Sequence, residues 1–174
     1  MDGEMTTPID GKIEQKGELA LTSPAFEDGE MMPDSVGYAN ENENPPLHIS
    51  GVPDGAEALV LAMDDPEAEP VVGHIWDHWM VFDINSETAE IPEAWTPDSA
   101  VEAYNDFVET GWGGPSPPEG DHAYYFKLFA LDSKVGYPPA IRKARLGSVM
   151  ATECEILAQT QLVGRYDAEQ GTIF

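Results

Sequence analysis

Residues 58–63 read ALVLAM, an unbroken apolar run of six side chains. That length is short for a helix and suits a strand buried on both faces, so the run belongs in the middle of a sheet. It ends in Asp64-Asp65-Pro66. Pro66 biases Asp65 away from the α region, and the Asp-Pro step reads as a strand entering a turn. A polar loop, residues 67–77, leads back to apolar sequence at His78-Trp79. Residues 78–84 (HWMVFDI) are the next strand, and strict alternation puts His78, Met80, Phe82 and Ile84 on one face. Two strands joined in this way could bring Asp65 and His78 to the same loop-rich end of a sheet.

The remaining elements are shorter and more punctuated. Residues 18–22 (ELALT) and 47–50 are strand candidates. In residues 96–110, Val101, Tyr104 and Val108 are spaced by three and four, which predicts a helix stopped by Gly111, Gly113 and Gly114. Residues 113–122 (GGPSPPEGDH) pack three Pro and three Gly into ten positions, a stiff loop with several special backbone conformations. It runs into a strong strand at 123–131 (AYYFKLFAL), on which His122, Tyr124, Phe126 and Leu128 share a face. After Pro138-Pro139 the pattern predicts a helix over 140–150, holding Arg142, Lys143 and Arg145. Further strands follow at 151–158 and 162–166. Short strands, Pro/Gly loops and one late helix predict a mainly β domain, a two-sheet antiparallel sandwich with Greek-key connections. Residues 1–10 read as a flexible acidic tail and 11–174 as a single domain.

The 174-residue chain is 41% apolar, enough for a substantial core. Thirty-three acidic residues against eight basic ones give a formal charge of -25, which repels nucleic acid phosphates and anionic lipid. Molar salt shortens the Debye length to about 3 Å and removes most of the self-repulsion. The composition therefore fits a salty cytoplasm, with an ordinary acidic protein as the alternative. Cys154 is the single cysteine, so no intrachain disulfide and no Cys/His zinc pattern is expected. Residues 1–17 lack a hydrophobic signal region and no segment approaches a membrane span. The expectation is a cytoplasmic, reduced protein with no cofactor and no metal, whose dimerisation is left open.

Asp65, His78, His122 and Tyr124 each fall where an apolar strand meets a turn. Each also has a plainer explanation, as a turn-forming carboxylate, a pair of loop-tethering histidines and a core aromatic. The ordered set DDPEA (64–68), HW (78–79), NDF (105–107) and GGPSPPEGDHAYYFKLFALD (113–132) resembles the phosphatidylethanolamine-binding protein family, and most closely its prokaryotic Raf kinase inhibitor-like branch. The resemblance implies a β-sandwich with a small pocket at one end of the central sheet. By residue-by-residue match, Asp65, Glu67, His78, His122 and Tyr124 would line it, Gly114 and Pro115 with the Pro117-Pro118 turn would wall it, and Trp76 would stand near its mouth. In the family such a pocket takes phosphate, phosphoethanolamine or a carboxylate. The sequence also departs from the family pattern. Glu67 replaces an Asp, Glu69 stands at a usual Pro, Ile49 replaces a common Trp, and Ser148 stands where many relatives have His. An extra carboxylate at the rim could repel anions or select an amine-bearing ligand.

The chemistry of such a pocket is plausible. Two imidazoles with ordinary pKa values could accept protons as an anion arrives, aided by an adjacent carboxylate. The first functional expectation is thus a regulatory module that binds a small anion and does no chemistry. Relatives inhibit serine proteases or bind kinases, so the resemblance allows a protein partner. A protease inhibitor using the 87–112 segment is one alternative. A hydrolase using Asp65, His78 and His122, as acid and base or as metal ligands, is another. No Ser or Cys stands beside either His in the sequence, which weighs against catalysis.

Overall fold

Every residue of Ala58–Asp65 is buried, as a strand covered on both faces must be. The computed structural model describes residues 8–171. In chain order the strands are β1 (Ala20–Thr22), β2 (Leu47–Ser50), β3 (Ala58–Asp65), β4 (Trp76–Ile84), β5 (Glu90–Ile91), β6 (Val101–Glu102), β7 (Asp121–Leu131) and β8 (Ile156–Asp167). A one-turn helix, α1 (Glu69–Val72), links β3 to β4, and α2 (Lys143–Thr152) precedes β8. The strands form two antiparallel sheets, β6-β4-β3-β7-β8 and β1-β2-β5. No helix among the described residues is long and apolar enough to cross a membrane.

The two faces of the larger sheet have different covers. One packs Leu61, Met63, Trp79, Val81 and Phe126 against Leu21, Leu47, Ile49 and Ile91 of the smaller sheet. The other buries Val60, Ala62, Met80, Phe82 and Phe129 beneath Leu146, Val149 and Met150 of α2, with Ile9 and Ile141 alongside. Each large side chain withdrawn from water in this way contributes about 1.5–3 kcal/mol. The sandwich is therefore the predicted one, and α2 roofs its outer face.

The β3–β4 ladder is interrupted twice. Met63 pairs with Trp79 and Asp64 with Asp77, so His78 is an extra residue in β4. A second shift lies between Leu59 and Leu61, opposite Asp83, whose φ is 57°. Each β-bulge offsets the alternation by one position. The expected common face of His78, Met80, Phe82 and Ile84 is therefore wrong. Met80 and Phe82 face α2, Ile84 faces the smaller sheet, and His78 sits against Tyr124 on the smaller sheet's side.

Three other expectations are corrected. Residues 96–110 form no helix: Val101–Glu102 is a strand, and Asn105 turns the chain with its own side chain. Asn105 Oδ1 accepts from the Phe107 and Glu109 backbone N–H groups, which replaces the helical bonds, and Val108 has a φ of 63°. The late helix starts at Lys143, because Arg142 is extended, and runs to Thr152. The strand expected at 151–158 is thus the end of α2 and a turn, and Ile156–Asp167 is one continuous strand. Of the N-terminal segment, residues 1–7 lie outside the described residues. Ile9 is fully buried and Asp10 meets Lys143 at 2.9 Å, so the folded domain already includes them.

Candidate functional site

A cavity of about 290 Å³ opens at the end of the larger sheet where β3 ends and β4 and β7 begin. Its polar floor is Asp65, His78, His122 and Tyr124, with Trp76 at its side. Phe107, Ala68, Val71, Val72, Ser116, Pro117 and Pro118 complete the lining. Antiparallel pairing explains the convergence, since Asp65 stands opposite Trp76, and Asp64 opposite Tyr125. The bulge adds His78 to this group by turning it onto the face of Trp79.

Asp65 is buried, and both of its oxygens are engaged. Oδ1 accepts the Glu67 backbone N–H at 2.9 Å, which holds the turn after Pro66, and Oδ2 lies 2.7 Å from His122 Nδ1. Burial raises the Asp65 pKa and the His122 hydrogen bond opposes that rise. His78 donates its Nδ1–H to the Gly113 carbonyl at 2.7 Å, because a carbonyl can only accept. That bond fixes the tautomer and leaves Nε2 as an acceptor. Burial pulls the His78 pKa down to about 4, against the opposing pull of the Gly113 carbonyl and of Asp64. His78 is therefore neutral at pH 7, and the expectation of two readily protonated imidazoles does not hold for it.

Among the described residues, two buried donors in the lining find no acceptor, Trp76 Nε1 and the Tyr124 hydroxyl. Tyr124 has no exposed surface. Burial raises its pKa above the ordinary value, and the Asp65 and Glu67 carboxylates push it further, so it stays a neutral O–H donor. Buried donors are rarely left unpaired in native proteins, and such a pair in one cavity is open to a ligand acceptor.

The wall behind the cavity is held by the backbone. The Gly114 N–H donates to Asn42 Oδ1 at 2.7 Å, and the Pro115 carbonyl accepts from the Tyr38 N–H at 3.0 Å. A Cβ on Gly114 would stand 1.9 Å from the Val36 carbonyl oxygen, so no larger residue fits without moving the loop. Phe107 is aimed by the Asn105 turn, stacks on Tyr38 at 4.1 Å and meets His78 edge-on at 5.6 Å.

Five of the eight expected site residues therefore line the cavity: Asp65, Trp76, His78, His122 and Tyr124. Gly114 and Pro115 are buried behind the wall, and Glu67 is an exposed residue of the Pro66–Ala68 turn, outside the lining. Even so, one donor atom from each of Asp65, Glu67 and His122 lies within 4.8 Å of the others. Glu69 opens α1 and is exposed. The sequence reading missed Ala68, Val71, Val72, Phe107 and Ser116 as lining residues. An apolar Val71-Val72 pair inside a polar loop was the available signal. Ser116 comes from a distant loop, yet its hydroxyl makes no hydrogen bond to either imidazole among the described residues.

Residues 22–167 match the family described as phosphatidylethanolamine-binding protein. A protein of the UPF0098 group from Methanothermobacter thermautotrophicus is 36% identical over 153 residues, covering 85% of this chain and 98% of that one. Another, from Aquifex aeolicus, is 36% identical over 155 residues, covering 85% and 88%. Among solved structures, a phosphatidylethanolamine-binding protein homologue from Chlamydia trachomatis superposes with a TM-score of 0.80 at 30% identity, over 87% of this chain and 99% of that chain. Escherichia coli YbcL, described as a member of the mammalian family, gives a TM-score of 0.79 at 28% identity, over 86% and 98%. By sequence and by fold, the chain belongs to the phosphatidylethanolamine-binding protein family.

Proposed function

We propose that this protein is a binding module for a small molecule bearing a phosphate or carboxylate group, seated in the cavity over Asp65, His78, His122 and Tyr124, and that it performs no reaction there. The observation that carries this reading is the pair of buried, unpartnered donors, Trp76 Nε1 and Tyr124 O–H, in one cavity. An anionic oxygen would accept from both, and Nε2 of the neutral His78 would accept a hydrogen bond from the P–OH of a monoprotonated phosphate. Catalysis is disfavoured because, among the described residues, the Ser116 hydroxyl in the lining is not hydrogen-bonded to a base. The apolar side of the lining, Val71, Val72, Phe107 and Pro118, suits the non-polar part of such a ligand.

The test follows the four histidine rings by NMR in molar potassium chloride while inorganic phosphate, then phosphoethanolamine, is added. Saturable shifts confined to His78 and His122, absent in Asp65→Ala, are expected. Rings that stay still at tens of millimolar of both ligands would remove the reading.

A further inference from the structure

The cavity carries a charge problem. Among the described residues no Lys or Arg lines it, and His78 is neutral at pH 7. Asp65 in the lining and Glu67 on the adjoining turn set two carboxylates beside the place where an anion is to sit. His122 is engaged with Asp65, and Glu67 still opposes a phosphate. A fixed positive charge is missing.

We propose that Asp65, Glu67 and His122 form a site for a divalent transition cation, such as Mn²⁺ or Zn²⁺, and that the cation supplies the charge which holds the anion; the second part rests on the phosphate reading above. Three donor atoms of these residues already lie within 4.8 Å of one another. Donors around a zinc-sized ion stand about 3.4 Å apart at ligand distances of about 2.1 Å. Asp65 and His122, now at 2.7 Å, need to part slightly, and the exposed Glu67 side chain can swing in from the turn. The ion takes the place of the proton that Asp65 and His122 share. The bonds to the Glu67 N–H and to His122 leave lone pairs free on both Asp65 oxygens.

A second observation points to the same site. The Tyr124 hydroxyl is fully buried, has no acceptor for its proton among the described residues, and lines the cavity with Asp65 and His122. As a neutral donor it would bond an oxygen of a water or phosphate carried by the ion. The donor set itself selects the metal. An imidazole with two carboxylates suits Mn²⁺ or Zn²⁺, whereas Ca²⁺ takes six to eight oxygens. Two carboxylates and one divalent ion sum to zero, so the loaded cavity no longer repels a phosphate. By linkage, each ligand must then tighten the other by the same factor.

The test must exclude loose binding of Mn²⁺ by an acidic surface, and His48 supplies the control. His48 lies 3.5 Å from Glu90 and reports an ordinary carboxylate outside this site, whereas His74 stacks on Trp76 at the cavity's side. The full chain, stripped with EDTA and held in molar potassium chloride, is titrated with Mn²⁺ while the four ring signals are followed. Broadening of His122 and His78 at an Mn²⁺ concentration at least tenfold below that affecting His48 is expected, with reversal by Zn²⁺. Glu67→Gln should weaken the effect at least tenfold, and folding of that variant is not in doubt because Glu67 is exposed. Equal broadening of His48 and His122, or an unchanged response in Glu67→Gln, would overturn the site. Phosphate is then titrated with and without Mn²⁺, and at least tenfold tighter phosphate binding with the ion is expected. Equal phosphate affinity in EDTA and in Mn²⁺ would overturn the cation's role while leaving the phosphate reading intact. Absence of phosphate binding under both conditions would overturn the phosphate reading, and the broadening result would still decide the metal site.

Discussion

Asp64 and Asp65 are consecutive on β3 and nearly buried, at 1% and 4% exposure, but they face opposite sides of the sheet. On the α2 side, Asp64 Oδ2 gathers Lys127 Nζ at 2.5 Å, Lys143 Nζ at 3.1 Å and the Gly11 N–H at 2.9 Å. Lys143 also meets Asp77 at 2.5 Å and Asp10 at 2.9 Å. Burial pulls the Lys127 pKa down to about 8 and pushes Asp77 up to about 6. Burial also acts to lower Lys143, but its carboxylate partners Asp64, Asp77 and Asp10 outweigh that and leave it raised. This network ties the N-terminal segment, α2 and two strands together from within the protein. On the cavity side, Asp65 and His78 occupy the next positions on the same two strands, and the donors around them are left unpaired. One face spends its polar groups on the fold and the other keeps them for a ligand.

The largest test of that contrast is a pair of substitutions. Asp64→Ala strands Lys127, which has no exposed surface, and should cost about 3–5 kcal/mol of stability by urea denaturation. Asp65→Ala loses a turn bond and the His122 contact, about 1–2 kcal/mol, but should abolish phosphate binding. Comparable losses of stability from both would erase the distinction between the faces.

Acid should act on the two faces in opposite directions. His78 has a folded pKa of about 4 against an ordinary 6.5. Between those values the unfolded chain holds the extra proton, so His78 makes stability fall as pH drops from 6.5 to 4, by up to about 3 kcal/mol. Asp77 is raised from 3.8 to about 6, so the folded chain holds the extra proton in that window. Its contribution therefore rises as pH falls from 6 to 4, by up to about 3 kcal/mol. Relative to the parent, Asp77→Asn should lose more stability between pH 6 and 4, as read from urea midpoints, and His78→Gln should lose less.

Smaller effects sharpen the picture. Tyr124→Phe removes an unpaired hydroxyl, so stability should stay within about 1 kcal/mol of the parent or improve, while phosphate binding weakens about tenfold. Val72→Ser, on the half-exposed lip, should change stability by less than about 0.5 kcal/mol. It should weaken a ligand with an apolar substituent more than it weakens inorganic phosphate.

The long, strongly patterned strands were legible in sequence. ALVLAM and AYYFKLFAL are apolar over a strand's length and sit in the centre, and the Asp-Pro and Pro/Gly loops marked where strands stop. Asp65, His78, His122 and Tyr124 could be collected from those ends, and Trp76 through the family resemblance alone. What could not be read was any effect that depends on a partner strand. The bulge at His78 exists only in the pairing with β3, and Phe107 reaches the cavity through a turn closed by Asn105 rather than through periodicity. The helical spacing of Val101, Tyr104 and Val108 arose by coincidence in a segment that side-chain hydrogen bonds organise. The Asp64–Lys127 pairing needed the register of β3 against β7, which places Ala62 opposite Lys127 and Asp64 two residues further along.

The bulge in β4 has a genetic consequence. Asp77 and Trp79 each already face the correct side opposite Asp64 and Met63, and His78 is the residue between them that the ladder does not count. An in-frame loss of that single codon would leave the alternation of the strand continuous, with Met63, Trp79 and Val81 packed as before. The imidazole is, in this sense, an insertion carried by a sheet that can close without it. A lineage could therefore lose or gain this imidazole in one mutational step, at the cost of the two hydrogen bonds that tie His78 to Gly113.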